Sequence, residues 1–268
     1  MEKRLLFGPD SVRQWSTSES TMEASTNRMR TQTSTLHWHI TVDHFGGEAK
    51  YPIGWPRVNI AIKEPAARDW SGWDYLQLWV YTETSREALP HEPVVMILHT
   101  PDKESAYNRP LDGLKKGEWA QIRIPLTQVP RHQEVRLMQL SISDSKYRHQ
   151  DQLDLYFDEI ALFRYAQPTL LDFAAESMVM FTDANAVPVR FNLVGIKPGE
   201  SVDVVCELRQ DGKTAARTIV KAKRGPQRLA LDLGGARLAA GNYELAASAA
   251  GVTQTATTEM RLVASPWQ

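Results

Sequence analysis

Residues able to do chemistry alternate with apolar residues in four short segments of the first half of the chain. Successive side chains of a β-strand point to opposite faces of its sheet, so an apolar residue at every second position predicts one face in the core and one outside it. The inward set is Leu36, Trp38, Ile40, Val42, Val58, Ile60, Ile62, Leu76, Leu78, Val80, Met138, Leu140 and Ile142. The outward set contains His37, His39, Arg57, Asn59, Gln77, Trp79, Tyr81 and Gln139. If the four segments share a sheet, the outward set forms one polar and aromatic face.

Such a face suits a carbohydrate ligand. Aromatic rings cover the apolar C–H face of a sugar, while amides, imidazoles and guanidinium groups form hydrogen bonds with neighbouring hydroxyls. The alternative is structural: Trp79 and Tyr81 pack against a loop or a neighbouring domain, and Asp43, Arg57 and Gln139 satisfy one another in an internal network.

Three loops bring further aromatic and charged residues to the rim of this face. The first, residues 50–57, is too rich in Pro and Gly to form a strand, which predicts a stiff loop. The other two span residues 100–109 and 144–149. Together the loops carry Tyr51, Trp55, Tyr107, Arg109 and Tyr147. Loops at one rim of a rigid sandwich commonly carry recognition, so we expect these residues to extend the binding face.

Strand signals recur along the whole chain, and no stretch sustains the 3.6-residue apolar period of a long helix. Strands are predicted in the first half over residues 36–42, 57–62, 75–81, 94–99, 119–124, 136–143 and 155–164. Later strands are predicted over residues 187–193, 201–208, 214–221, 228–233, 241–247 and 255–262. The sequence therefore predicts an all-β protein, with a jelly-roll β-sandwich over residues 1–166 and a smaller immunoglobulin-like β-sandwich over residues 167–268.

The composition argues against several classes of partner. The 31 basic and 32 acidic residues leave a net charge of −1, which gives no field to attract nucleic acid or an anionic membrane. No apolar run approaches the ~20 residues needed to span a bilayer, and the N-terminal residues lack the apolar stretch of an export signal. Cys206, the single Cys, alternates with apolar neighbours and is expected to be a small buried hydrophobic residue.

Three blocks of the first domain carry a family resemblance. Residues 69–81 read DWSGWDYLQLWVY, residues 114–126 read LKKGEWAQIRIPL and residues 155–162 read LYFDEIAL. In this order and spacing they resemble β-jelly-roll carbohydrate-binding modules, the galactose-binding-like sandwiches of bacterial polysaccharide-degrading proteins. The resemblance implies a polysaccharide ligand, a catalytic domain or enzyme partner, and a secreted or cell-surface location.

The second domain offers no comparable site. Seven of the eight Trp and seven of the eight Tyr precede residue 166. Residues 195–200 and 238–245 resemble the turn-then-strand pieces of fibronectin-like or immunoglobulin-like spacer domains. We expect this domain to be a spacer or a docking platform.

The same resemblance implies a structural calcium ion. The Asp of the last block, Asp158, matches a frequent calcium ligand of these modules, and Glu23 or Asp10 would have to converge with it. The alternative is that Asp158 caps a turn or pairs with an Arg. Zinc is less favoured: His37 and His39 lie on one strand face, but no Cys or third His follows a matching pattern.

Enzymatic alternatives remain open at this stage. A polysaccharide lyase uses a Tyr or His base and a group that neutralises the uronate, and the outward set contains those residue types. A glycoside hydrolase needs two carboxylates, for which the face offers Asp43 and Asp144. Because no catalytic signature accompanies them, the sequence favours a non-catalytic polysaccharide-binding module. A structural or assembly module without sugar binding is the third hypothesis.

Overall fold

Strands make up almost all the regular structure in the computed structural model of this chain, which describes residues 1–46, 54–101, 107–235 and 238–266. The chain divides into two units, Glu2–Phe163 and Arg164–Gln268. The described residues form one α-helix, α1 (Pro65–Arg68), and 3-10 helices over Pro9–Gln14, Leu126–Gln128, His132–Glu134 and Asp144–Lys146. Within these ranges, no helix has the length and apolar character needed to cross a membrane.

The first unit consists of two sheets. Its strands are β1 (Glu2–Phe7), β2 (Trp15–Ser18), β3 (Thr21–Ser25), β4 (Thr35–Thr41), β5 (Arg57–Ala61), β6 (Tyr75–Thr84), β7 (Val95–His99), β8 (Tyr107–Pro110), β9 (Trp119–Pro125), β10 (Leu137–Ser141) and β11 (Gln152–Arg164). Sheet I has the order β3-β4-β11-β6-β9, and β1 also pairs with β11. Sheet II has the order β2-β5-β10-β7-β8. The all-β prediction is confirmed.

The core of the first unit lies between these sheets. Every residue that the alternation predicts to point inward is buried, and side chains from both sheets join one apolar cluster. Trp38 of sheet I and Met138 of sheet II, for example, are both 0% exposed. Removing this apolar area from water provides the main stabilisation of the sandwich, at about 25 cal/mol per Å².

The outward residues do not share a sheet. Strands β4 and β6 belong to sheet I, whereas β5 and β10 pair with each other in sheet II. The prediction of one continuous face is therefore wrong, because alternation determines which face of a strand is buried but not which sheet the strand joins. His37, His39, Gln77, Trp79 and Tyr81 lie on the outer face of sheet I. Arg57, Asn59 and Gln139 lie on the outer face of sheet II.

The second unit also contains two sheets. Its strands are β12 (Thr169–Ala175), β13 (Val179–Phe181), β14 (Ala186–Val194), β15 (Ser201–Gln210), β16 (Lys213–Lys223), β17 (Gly225–Asp232), β18 (Gly241–Ala249) and β19 (Thr255–Val263). One sheet has the order β12-β14-β17 and the other β13-β19-β18-β15-β16. Cys206 is buried in the core between them, as predicted, and burial raises the pKa of its thiol to about 12.

Candidate functional site

The outer face of sheet II, called here the sheet II face, contains a short row of polar side chains. Antiparallel register places Gln139 of β10 between Asn59 of β5 and Ile97 of β7. The next row contains Arg57 and Ser141. Directly paired residues of neighbouring strands project from the same side of a sheet, so these groups are neighbours on one surface.

Two polar side chains of the sheet II face, Gln139 and His99, have buried nitrogen atoms without a hydrogen-bond partner among the described residues. Gln139 is 7% exposed, and its Nε2 atom makes no hydrogen bond. His99, at the end of β7, also has a buried Nε2 atom without a partner. Buried polar atoms in proteins nearly always have a hydrogen-bond partner, and leaving one unpaired costs about 1–3 kcal/mol. The sheet II face therefore carries hydrogen-bonding capacity that the described residues do not use.

An aromatic residue stands next to this row. Trp55 precedes β5, and the Arg57 guanidinium lies 4.9 Å from the centre of the Trp55 ring while donating a hydrogen bond of 3.1 Å to the Trp55 carbonyl oxygen. The Trp55 backbone N–H donates a hydrogen bond of 2.7 Å to Glu19 Oε2. These contacts hold a half-exposed indole ring at the rim of the sheet II face.

A pair of carboxylates lies under the same rim. Both carboxylate oxygens of Asp144 and the Oε1 atom of Glu19 are buried, and none of the described residues gives them a hydrogen bond. Gly54 separates the two side chains: a methyl group there would collide with Asp144 Oδ2 and come within 3.0 Å of Glu19 Oε2. Burial, together with the Glu19 charge, raises the pKa of Asp144 to about 6.

The outer face of sheet I, called here the sheet I face, contains a row of rings. Cross-strand pairing places five residues side by side on successive strands, in the order Glu23, His37, Tyr156, Tyr81 and Trp119. The His37 and Tyr156 rings stack with centroids 4.4 Å apart and planes 4° apart. Tyr81 lies edge-on to Tyr156 and 5.5 Å from the ring of Trp119. The rings of this face therefore pack mainly on one another.

A loop of the chain itself covers part of the sheet I face. The Arg30 guanidinium lies 3.7 Å from the centre of the Trp79 ring, and the Arg28 guanidinium lies 5.0 Å from that of Tyr81. Tyr81 Oη donates a hydrogen bond of 2.8 Å to Glu83, which also receives one from Arg28. The aromatic residues that the sequence assigned to sugar stacking are thus engaged by the arginines of this loop.

The predicted ligand residue Gln77 also lies in a closed network on the sheet I face. Its Oε1 atom accepts hydrogen bonds from Gln121 at 2.8 Å and Arg123 at 2.9 Å, and its Nε2 atom donates one of 3.1 Å to Glu159. With 4% of its surface exposed, Gln77 has no accessible hydrogen-bonding capacity for a ligand.

Three of the loop residues are not where the sequence predicted them. Tyr107 and Arg109 lie in the edge strand β8 and not in a loop, paired with the core residues Leu98 and Met96 and therefore on the inner side of sheet II. Tyr147 is 4% exposed and donates a hydrogen bond of 2.8 Å to the Pro93 carbonyl, which makes it a core residue. These predictions are wrong because apolar contact with the core overrides the polar composition of the segments. Tyr51 lies outside the described residues.

Asp158 does not offer a calcium ion the ligand oxygens that the resemblance implied. Its carboxylate accepts hydrogen bonds from the backbone N–H groups of Arg30, Thr31 and Gln32 and from the Thr31 hydroxyl. N–H donors cannot coordinate a cation, so the surroundings of Asp158 fit a loop anchor and do not fit calcium. Glu23 instead contacts His37, and Asp10 lies exposed in the first 3-10 helix.

Sequence analysis missed three residues that the fold brings to these faces. The first, His99, ends a predicted strand. The other two, Glu19 and Asp154, lie outside the predicted strands, and no pattern singled out any of the three. Asp154 is the third residue of β11, just before the strand predicted from residue 155, and lies opposite His39. Cross-strand register would have found it, but register between strands far apart in sequence cannot be read from alternation alone.

Comparison with known proteins gives limited information. No protein-family model matches the chain. No curated protein sequence matches it either. Among solved structures, the chain is similar to the glycoside hydrolase domain of Endo-D from Streptococcus pneumoniae R6, with 11% identity over 92% of this chain and 37% of that one, and a TM-score of 0.33. The chain therefore spans little more than a third of that hydrolase structure.

Two carbohydrate-binding structures are also similar. The N-terminal CBM22-1-CBM22-2 tandem domain from Paenibacillus barcinonensis Xyn10C shows 8% identity over 88% of this chain and 87% of that one, with a TM-score of 0.37. The mannan-recognising carbohydrate-binding module TmCBM27 shows 14% identity over 60% of this chain and 95% of that one, with a TM-score of 0.31. Because all three TM-scores lie below 0.5, nothing about the ligand of this chain follows from these likenesses.

Proposed function

We propose that the first unit binds a polysaccharide without cleaving it, on the sheet II face. The observation that supports the proposal most directly is the unpaired Nε2 atom of the buried Gln139, next to Asn59 in the same row. A sugar hydroxyl can accept from such an amide once the Gln139 side chain turns outward, and the partly exposed ring of Trp55 at the rim can cover the apolar side of a pyranose. The site would then use the capacity that the chain leaves unpaired.

This placement differs from the one expected from the sequence. The sheet I face has more aromatic residues, but Arg28 and Arg30 already lie over Tyr81 and Trp79. A ligand there would have to displace both guanidinium groups and the loop that carries them. On the sheet II face a ligand would have to displace only the Arg57 guanidinium from Trp55 and uncover the buried Gln139 amide nitrogen, which has no partner among the described residues to give up. The proposed site comprises Trp55, Arg57, Asn59, His99 and Gln139.

The same geometry argues against a lyase. The groups that a lyase would combine are divided between opposite faces, with Arg57 and Asn59 on sheet II and His37, His39 and Tyr81 on sheet I. The hydrogen bond to Glu83 raises the pKa of Tyr81, which is the wrong direction for a base at neutral pH. We therefore propose a binding role, accessory to a polysaccharide-degrading enzyme as the three sequence blocks suggest.

The test is affinity electrophoresis of the full chain in gels containing a panel of soluble polysaccharides. We expect retardation by at least one polysaccharide, with Gln139→Leu and Asn59→Ala abolishing it. The matched control is Gln152→Ala, because Gln152 is an exposed glutamine of sheet I. This variant should be retarded like the wild type. Assays for new reducing or unsaturated chain ends in the same samples should be negative.

Each opposite result has a defined meaning. New chain ends would replace the binding proposal with an enzymatic one, for which Asp144 and Glu19 are the carboxylates to change first. Retardation that survives Gln139→Leu and Asn59→Ala would move the site away from the sheet II face. No retardation by any polysaccharide would favour the structural role.

A further inference from the structure

Two imidazoles and a carboxylate converge on the sheet I face. His37 Nε2 lies 2.8 Å and His39 Nδ1 lies 2.7 Å from the same atom, Asp154 Oδ1. The potential ligand atoms of the three side chains all lie within 4.8 Å of one another. We propose that His37, His39 and Asp154 form a binding site for a divalent transition-metal ion, with zinc as the expected occupant. The site lies on the face opposite the proposed carbohydrate site and does not depend on it.

Neighbouring strands place the three ligands. His37 and His39 are two residues apart on β4, so both rings project from the same side of sheet I. Asp154 of β11 is the direct cross-strand partner of His39. Because β11 lies between β4 and β6 inside the sheet, the backbone that holds these side chains is paired on both sides. Such a scaffold can hold a preformed coordination geometry.

The donor atoms select the class of ion. Imidazole nitrogen together with carboxylate oxygen suits zinc and neighbouring transition metals, whereas calcium and magnesium prefer oxygen ligands alone. Zinc sites with three protein ligands keep a further position for water. The side chains of His39 and Asp154 are 37% and 27% exposed, so the site is open to solvent on one side.

The ring nitrogens that face away from the cluster also have partners. His37 Nδ1 lies 2.9 Å from Glu23 Oε1, and His39 Nε2 lies 3.3 Å from Thr41 Oγ1. Metal-bound imidazoles commonly donate their second N–H to a carboxylate or another acceptor, which fixes the tautomer and the ring orientation. Glu23 and Thr41 stand where such acceptors are needed. Glu23 is therefore a positioning residue and not a ligand.

A metal ion can bind between His37 and Asp154 without loss of the contact with Glu23. His37 Nδ1 faces Glu23 and His37 Nε2 faces Asp154. An ion bound between Nε2 and Asp154 would leave Nδ1 in contact with Glu23. Zinc bonds of about 2.0–2.2 Å place tetrahedral ligand atoms about 3.4 Å apart, so the present contacts of 2.8 Å and 2.7 Å would have to widen by about 0.6–0.7 Å.

The test uses the full chain without an affinity tag, stripped of metal with a chelator and titrated with Zn²⁺ in competition with a chromophoric chelator. We expect one zinc ion per chain. His39→Ala and Asp154→Asn should lower the affinity by more than 100-fold, and Glu23→Gln by about 10-fold, as for other outer-shell partners. His91→Ala is the matched control, because His91 is 93% exposed and belongs to no cluster of metal-ligating residues among those described.

Cobalt provides a second readout. Co²⁺ bound by nitrogen and oxygen ligands in a distorted tetrahedron absorbs visible light, and this absorption should be present in the wild type and in His91→Ala but absent in His39→Ala. Circular dichroism verifies that each variant is folded. Absence of zinc binding by the wild type, undiminished binding by both ligand variants, or equal loss in His91→Ala would overturn the proposal. Polysaccharide retardation of Asp154→Asn should stay at the wild-type level, which separates this test from that of the carbohydrate site.

Discussion

The two outer faces of the first unit use similar residue types in opposite ways. On sheet I, Gln77 is 4% exposed and its amide bonds to Gln121, Arg123 and Glu159. On sheet II, Gln139 is 7% exposed and its Nε2 atom has no partner in the part of the chain that the structure describes. Composition alone predicts the same role for both glutamines. The difference shows that a binding face is better recognised by the hydrogen-bonding capacity that the chain leaves unused than by the residues it displays.

The largest effect on stability is expected at Asp158, whose hydrogen bonds hold the loop that covers part of the sheet I face. Replacing Asp158 with Ala should lower the free energy of unfolding by about 3–5 kcal/mol, because three backbone amides and a hydroxyl lose their acceptor. Urea unfolding measures the loss, and Asp10→Ala, at an exposed position, should change it by less than about 0.5 kcal/mol. Wild-type stability should be equal in calcium and in chelator. A stabilisation by calcium that Asp158→Ala abolishes would restore Asp158 as a calcium ligand.

The paired glutamines provide the most direct test of the comparison. Gln77→Leu should destabilise the protein by about 2–4 kcal/mol, because Glu159, Gln121 and Arg123 each lose a partner. Gln139→Leu should leave stability unchanged or raise it by about 1 kcal/mol, since it removes an unpaired buried amide. Urea unfolding of both variants and the wild type measures the two changes in stability. Equal destabilisation would mean that the two faces do not differ.

The carboxylate pair beneath the sheet II face predicts a dependence on pH. The pKa of Asp144 is raised to about 6 in the folded protein, above its ordinary value of 3.8, so the folded state holds the proton more tightly than the unfolded state. The contribution of Asp144 to stability should therefore fall as pH rises from about 4 to 6. Asp144→Asn should be more stable than the wild type by about 1–2 kcal/mol at pH 7.5, with the difference disappearing near pH 4. Thermal unfolding across this range checks the sign, and a wild type that is the more stable protein at pH 7.5 would contradict it.

The smallest effect on stability is expected at the Trp79 ring, which lies beneath Arg30 of the covering loop. Arg30→Met should lower stability by about 0.5–1 kcal/mol, the usual strength of a partly exposed contact between a guanidinium and an indole. The quenching of tryptophan fluorescence by iodide should increase at the same time, because Trp79 becomes more accessible. If Arg30→Met also produced new polysaccharide retardation, the sheet I face would be a binding site that the loop blocks.

Much of the fold could be predicted from the sequence, and what was missed has a common cause. Alternation found the strands with one face in the core, such as β4, β6 and β10. Strands β2, β3, β8, β12 and β13, which lie at the edges of their sheets, were missed. The edge strands β9, β16 and β17 were found, so edge position alone is not the cause. Strands β2, β3, β8 and β13 have only three to five residues, too few for a clear alternation, and β12 buries only its last residue. Strand β1, which pairs with β11 off the main order of sheet I, was missed as well.

The candidate site was less predictable than the fold. The residue types on the strands were read correctly, but the assignment of strands to sheets depends on contacts between distant parts of the chain. Strands β4 and β5 follow each other in sequence and enter different sheets. The hydrogen-bond partners of the Gln77 side chain include Gln121 and Arg123, which lie more than 40 residues away in sequence. Local sequence therefore cannot show whether a glutamine side chain such as Gln77 or Gln139 has partners.

The place of β11 in sheet I also determines when the first unit can fold during synthesis. This strand is the last of the unit to leave the ribosome, yet it pairs with β1, β4 and β6, and its Asp158 holds the loop 126 to 128 residues earlier. Until it emerges, the edges of β4 and β6 have no partner and are open to pairing with other chains. Most of the sandwich is therefore synthesised before its central strand is available. A pause in translation after Arg164 has left the ribosome would favour correct closure, whereas a pause while β11 is still inside the ribosome would prolong the exposure of these edges.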